Sequence, residues 1–245
     1  MKILLILAPL ALAGCATLFG PSGPFAVDRK DELIEFNYAW SAEASRIPLL
    51  VRRLRSDLET SWRAVSATAQ AERSQAQARN LPFRGHEFNR RWLTAGQSSR
   101  LLSLEGQTQA FTGGAHPNHG AEALLWDRRT RAEIKAERLF TASTDLQKLV
   151  HSPSCRIFAG ERARRLGGAL RGGDALAGCP PIGDLAVLPA DGNGNRRFER
   201  FRLIAANGVA GAYAEGRYDI AVPVTPALLA ALKPAYRPSF EVQPQ

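Results

Sequence analysis

Cysteine is scarce in this chain, at three in 245 residues, and no two of the three stand in the close C-x-x-C spacing that marks a structural zinc site. After the first 14 residues no long apolar run recurs, which excludes a membrane-crossing helix of about 20 residues from the body of the sequence. Several enzyme signatures are missing as well: there is no G-x-S-x-G elbow, no P-loop, no H-E-x-x-H and no paired-carboxylate motif. The chain is therefore read as non-enzymatic, with no catalytic residue, no metal and no cofactor assigned. Acidic residues are in deficit, 23 against 32 Lys and Arg, for a formal charge of +9. Arginine supplies most of that excess, and a planar guanidinium suits oxyanions on lipid, glycan or nucleic acid.

What is present begins with Met1-Lys2, an apolar stretch from Ile3 to Leu12 interrupted by Pro9, and then Ala13-Gly14-Cys15. A charged start, a short apolar core and small residues form an export signal. A cysteine placed directly after them is the layout of a bacterial lipoprotein. Residues 1–14 are thus expected to be the signal peptide, and Cys15 the lipidated anchor of the mature chain. Residues 15–30, with Gly20, Pro21, Gly23 and Pro24, are expected to be a tether. Ala16, rather than Asp, after the anchor favours the outer membrane, facing the periplasm. Export removes nucleic acid from the partners and leaves membrane and cell-wall polymer. It also makes a disulfide between Cys155 and Cys179 the expected pairing. Closing a loop of about 25 residues contributes on the order of 3–4 kcal/mol.

Beyond the tether, Ile34, Phe36, Tyr38 and Trp40 alternate with polar residues, which predicts a half-buried strand. From Pro48, Leu50, Val51, Leu54, Leu58, Trp62 and Val65 recur at helical spacing, so a helix is expected to run outward to about Arg79. His86–Leu93 reads as a strand with Phe88, Arg90 and Trp92 on one side. Glu105-Gly106 is expected to be the turn of a tight hairpin, and Glu215-Gly216 that of another. Asp191, Asn193 and Asn195 mimic the start of a calcium loop but lack its remaining ligands, so a hairpin turn is expected there. Thr225-Pro226 caps a short helix.

Phe111-Thr112-Gly113-Gly114-Ala115-His116-Pro117-Asn118-His119-Gly120 is the most distinctive segment. Its glycines demand an unusual backbone path, and two histidines three apart beside Glu122 raise a metal-dependent hydrolase as the alternative to a binding protein. Gly113, Gly114, His116, Asn118 and His119 form the candidate binding loop. This segment, the strand into Trp126-Asp127 and Ala136-Glu137-Arg138-Leu139-Phe140 resemble a domain of unknown function from bacterial envelope proteins. Glu35-Phe36-Asn37-Tyr38-Ala39-Trp40 and the helix after it resemble the domain that usually precedes it, and Ala212–Ile220 is similar to that family's ending. Such PdaC/RsiV-like pairs occur before the catalytic domain of a peptidoglycan deacetylase and outside the membrane in a lysozyme-binding anti-sigma factor. The resemblance implies binding of peptidoglycan or of a wall-active protein such as lysozyme. The expected fold is α+β, with antiparallel sheets each covered by helices, in two small packed domains at residues 31–115 and 116–240.

Overall fold

The computed structural model describes residues 23–142, 144–168 and 178–243. Residues 1–14 and the proposed anchor Cys15 lie outside the described residues. The α+β class is observed: a six-stranded sheet and a three-stranded sheet stack face to face, with helices on their outer sides.

The large sheet begins earlier than the sequence suggests. Phe25–Lys30, the last six residues of the expected tether, form strand β1, antiparallel to β2, Ile34–Trp40. Phe25 stacks on Trp40 at 3.8 Å between ring centroids, and this contact gives the short strand a reason to pair. In β2 the alternation holds, with Ile34, Phe36, Tyr38 and Trp40 all buried. A four-residue helix α1, Ala42–Ser45, leads into α2, Pro48–Ala78, whose Leu50, Leu54 and Leu58 cover those side chains.

Helix α2 corrects the expectation of an all-antiparallel sheet. By returning the chain to the end where β2 started, it makes β3, His86–Gln97, run parallel to β2, with Ile34 opposite His86 and Trp40 opposite Trp92. Strands β4, Leu101–Phe111, β5, Asn118–Asp127, and β6, Ala132–Ile134, then add antiparallel in order. The domain boundary expected at 115/116 falls between β4 and β5, two neighbours in this one sheet.

The hairpin expected at Glu105-Gly106 does not form; both residues lie inside β4. Gly106 answers a packing demand instead. A Cβ there would come within 2.8 Å of the Trp92 ring, which lies across the strand. Glu105 and Gly106 look like a turn only when the partner across the sheet is unknown.

In the second half, a π-helical turn at Gln147–His151 continues into α3, Ser152–Arg165. The expected disulfide is present, joining Cys155 to Cys179 with 5.0 Å between Cα atoms. Strands β7, Ala186–Ala190, β8, Arg200–Ala205, and β9, Tyr218–Pro223, form the small antiparallel sheet. The loop between β7 and β8 is the polar turn expected there: Asp191 accepts from the amides of Gly194 and Arg196, and Asn193 and Asn195 accept from amides two residues on. The hairpin expected around Glu215-Gly216 is only half present. Tyr218–Pro223 pairs with β8, whereas Tyr213–Glu215 is a 3-10 turn in which the Glu215 carboxylate accepts from the Ala212 amide at 2.7 Å. That local bond competes with a strand ladder and prevails. The short helix α4, Pro226–Ala231, starts at Thr225, whose hydroxyl accepts from the Leu228 amide.

Each sheet therefore has its own core. Beneath α2 lie the aromatics of β2 and β3; in the second half Phe158 of α3 and Leu228 of α4 join Phe201, Leu203, Tyr218 and Ile220 in the other core. Between the sheets, Ala186, Leu188 and Ile204 meet Ala95, Ala121 and Ala123. Small side chains on the large sheet let the two layers approach closely.

Replacement of Gly106 by Val, a better strand former, should destabilise the protein by about 1–3 kcal/mol because the new methyls displace Trp92. A lowered denaturant midpoint checks this; an unchanged or raised midpoint contradicts it.

Candidate functional site

Strand alternation fixes which groups face the gap between the sheets. The residues of β3 and β4 that point away from α2 are Asn89 and Arg91, paired across the ladder with Gln109 and Gln107. On β5 the same face carries His119, opposite Gln109, then Ala121 and Ala123. Where β7 covers this face its residues are small and apolar; beyond that cover they become amides, an arginine and a histidine. The result is an open polar groove of about 380 Å³, closed on its other side by Asn207 and Arg217 from the connection between β8 and β9.

The groove's base is a charge network. Glu105 is 3% exposed. Its carboxylate accepts from Gln107 at 2.7 Å and pairs with Arg202 at 2.9 Å and Arg217 at 2.8 Å. Both arginines also reach Asp219. Burial alone would raise the Asp219 carboxyl, but hydrogen bonds from Arg202 and Arg217 hold it below the usual carboxylate range. Arg91 differs from these two: it is exposed and makes no ion pair with any described residue. Two carboxylates thus neutralise Arg202 and Arg217, while Arg91 leaves the groove positive.

The loop singled out in the sequence stands at one end of the groove. Gly113 takes φ +83°, in the region that favours glycine. His116 is exposed and stacks on Tyr213 at 3.8 Å, and the Tyr213 hydroxyl donates to the Pro117 carbonyl. His119 lies farther off, 6.4 Å from the same ring. Asn118 is exposed at the start of β5, opposite Ala110, and a Cβ on Gly114 would meet nothing within 4 Å. Of the loop residues, His119 and its neighbour Gly120 line the groove.

The metal reading of this loop counted on Glu122 as a neighbour. Glu122 is three residues from His119 on a strand and so faces the other side of the sheet, where it pairs with Arg90 at 2.8 Å. Among the described residues no acid hydrogen-bonds His116 or His119. The one cluster of three metal-ligating side chains found among those residues is elsewhere, at His151, Cys155 and Cys179, and its two sulfurs are joined to each other. The groove's amides, histidine and arginine suit hydroxyl, amide and anionic groups. Sequence reading did not pick out Asn89, Arg91, Gln107, Gln109, Asn207 and Arg217. The signal was available for four of them, since a stripe that buries Phe88 and Trp92 turns Asn89 and Arg91 to the opposite face and their partners with them.

A mixed sheet backed by a long crossover helix and stacked on a smaller helix-covered sheet defines a paired α+β scaffold with a groove between its layers. Residues 28–119 match the family model described as deacetylase PdaC. Over both halves the fold is that of solved proteins of the DUF3298 family. One, from Pseudomonas aeruginosa PAO1, is 15% identical with a TM-score of 0.56, covering 91% of this chain and 98% of that one. Another, from Bacteroides fragilis NCTC 9343, is 9% identical with a TM-score of 0.57, covering 88% and 95%. No curated protein matches the chain. The PdaC/RsiV-like resemblance read from the sequence is thus borne out, by the matched model in the first half and by fold across the whole.

Glu215 holds the turn that presents Tyr213 to His116. The Arg162 guanidinium, bonded to it at 3.0 and 3.1 Å, lowers the Glu215 carboxyl to about 2. A carboxyl depressed on folding stabilises above its unfolded value of about 4.3, and that stability is lost as pH falls toward the folded value. Stability should accordingly decline between about pH 4.5 and 2. Glu215→Gln should flatten that decline and lower the denaturant midpoint at pH 7; an unaltered pH profile would show that Glu215 has no such role.

Proposed function

We propose that this protein is a binding protein of the bacterial cell envelope that holds an anionic glycan, peptidoglycan, in the groove between its sheets. The observation that supports this most is Arg91, an exposed and unpaired cation set among the side-chain amides of Asn89, Gln107 and Gln109. Amides serve the hydroxyl and acetamido groups of a sugar chain, and a guanidinium serves its carboxylates. Lysozyme was the other partner expected from the resemblance. It is itself basic, and a groove left positive by Arg91 in a chain of +9 favours the glycan. The hydrolase alternative draws no support from His116 and His119, which have no acid partner among the described residues.

In this reading the chain is held by lipid on Cys15, at the outer membrane facing the periplasm. Labelled fatty acid should enter the wild-type chain and not the Cys15→Ser variant; labelling of both would remove the anchor from the proposal.

The groove is tested by pulldown of the full chain on purified peptidoglycan at two salt concentrations, with lysozyme beads in parallel. Retention on peptidoglycan should fall with salt. Arg91→Ala should weaken it by roughly tenfold, the equivalent of one charged hydrogen bond of about 1.5 kcal/mol. Arg52→Ala, on the exposed side of α2, should leave it unchanged. Retention on lysozyme alone, or an Arg91→Ala variant as strongly retained as wild type, would reject the glycan groove.

A further inference from the structure

A second pocket, of about 340 Å³, lies where α1 turns into α2. Its walls are Ile47, Pro48, Leu49 and the Trp126 indole, and its polar groups are the guanidinium side chains of Arg46, Arg128 and Arg131. No carboxylate lines it. Among the described residues none of the three arginines forms an ion pair; Arg128 donates to the Gln97 amide oxygen at 3.1 Å and keeps a buried Nε with no acceptor. Burial, and then Arg196 nearby, lower the Arg128 guanidinium from its ordinary value, while Glu43 opposes them. Glu43 itself is engaged by the Thr94 hydroxyl at 2.9 Å. The first turn of α2 adds to this field in a minor way, having no acidic residue and no side-chain cap. Elsewhere in the fold, arginines as withdrawn from solvent as Arg128 meet acids: Arg90 meets Asp57 and Glu122, Arg100 meets Asp127, Arg162 meets Glu215. A partly desolvated Arg128 with two exposed arginines beside it and, of the acids, only Glu43 acting on it from nearby gains from an anion that joins the three.

We infer that this pocket binds the C-terminal carboxylate of a peptide whose last residue is small and apolar. Two features select that chemistry among anions. The guanidinium forks match a planar carboxylate in bidentate geometry, and the four apolar lining residues give a terminal side chain surface to bury. Inorganic phosphate matches the charges but has no apolar part to use that wall. The volume lies at the small end of ligand pockets, which fits a chain end and not an internal stretch of polymer. The site is distinct from the groove, shares no lining residue with it, and stands whether or not the groove binds glycan.

The test is an NMR titration of the full chain in detergent, following the Trp126 indole N–H assigned with a Trp126→Phe variant. The probes are N-acetyl-alanyl-alanine, the same dipeptide with its C-terminus amidated, and inorganic phosphate. The free acid should shift Trp126 and bind at least about tenfold more tightly than the amide, a difference of about 1.4 kcal/mol. Arg46→Ala and Arg131→Ala, both at exposed positions, should each weaken the acid by about fivefold to tenfold while circular dichroism stays unchanged. Arg91→Ala should leave the titration as it is, which separates this pocket from the groove. Repeating it with D-alanine at the end distinguishes wall stem peptides, bound more tightly in the D form, from protein C-termini, bound more tightly in the L form. Equal binding of acid and amide, phosphate as tight as the dipeptide, no response of Trp126, or indifference to both arginine substitutions would each overturn the assignment.

Discussion

Glu105 reaches out of the large sheet into the interface and is met there by Arg202 and Arg217 of the small one. A carboxylate with 3% of its surface exposed has lost nearly all its water, and such a charge is tolerated only where its partners are fixed. The pairing therefore sets how the layers register. Sliding the small sheet by one residue would carry both guanidinium groups away from Glu105 and leave its buried charge without them. The alanine contacts beside it, Ala95, Ala121 and Ala123 against Ala186, Leu188 and Ile204, supply close approach but little directional preference. Apolar contact brings the sheets together and the ion network specifies where they stop. The groove exists because of that stopping point: the small sheet covers the alanines of β5 and leaves His119 and the β3–β4 amides open.

The elements legible in the sequence are those whose signal is local. Ile34, Phe36, Tyr38 and Trp40 alternate because one face of β2 is buried, and Leu50, Leu54 and Leu58 recur because one face of α2 is. Export and two remaining cysteines make the Cys155–Cys179 bridge expected from composition. The misreadings share a different origin. Gly106 is explained by Trp92, fourteen residues earlier, and Tyr213–Glu215 by a carboxylate that folds back on its own turn. β1 owes its pairing to Phe25 against Trp40. The parallel direction of β3 follows from the path of a 31-residue helix, which sequence periodicity reports in length but not in destination. Where the partner is distant, glycine and proline look like turns.

The candidate site divides along the same line. A glycine-rich loop with two histidines is conspicuous, yet it supplies only one end of the groove, through His119. The working face is built from residues that are ordinary one by one: Asn89, Arg91, Gln107 and Gln109 become a surface only when β3 and β4 pair. Glu122 shows the converse. It is near His119 in sequence, and the pleat sends it to the opposite side of the sheet, toward Arg90.

A formal charge of +9 says little by itself, because most arginines with restricted exposure are consumed by the fold. Arg90, Arg100, Arg162, Arg202 and Arg217 each meet at least one carboxylate, and these pairs tie elements of the fold to one another. Charge spent this way is internal and gives no field for a ligand to feel. The surplus has to appear where carboxylates are missing, and among the described residues concave places of that kind include Arg91 in the groove, and Arg46, Arg128 and Arg131 beside Trp126. They differ in their surroundings. Amides around Arg91 suit a ligand that stays hydrated and hydroxylated along its length; an indole and three aliphatic residues around the trio suit one that ends in an apolar group. The same excess of arginine is thus divided by its neighbours into two chemically different receptors, and it is those neighbours, more than the net charge, that determine what each can hold.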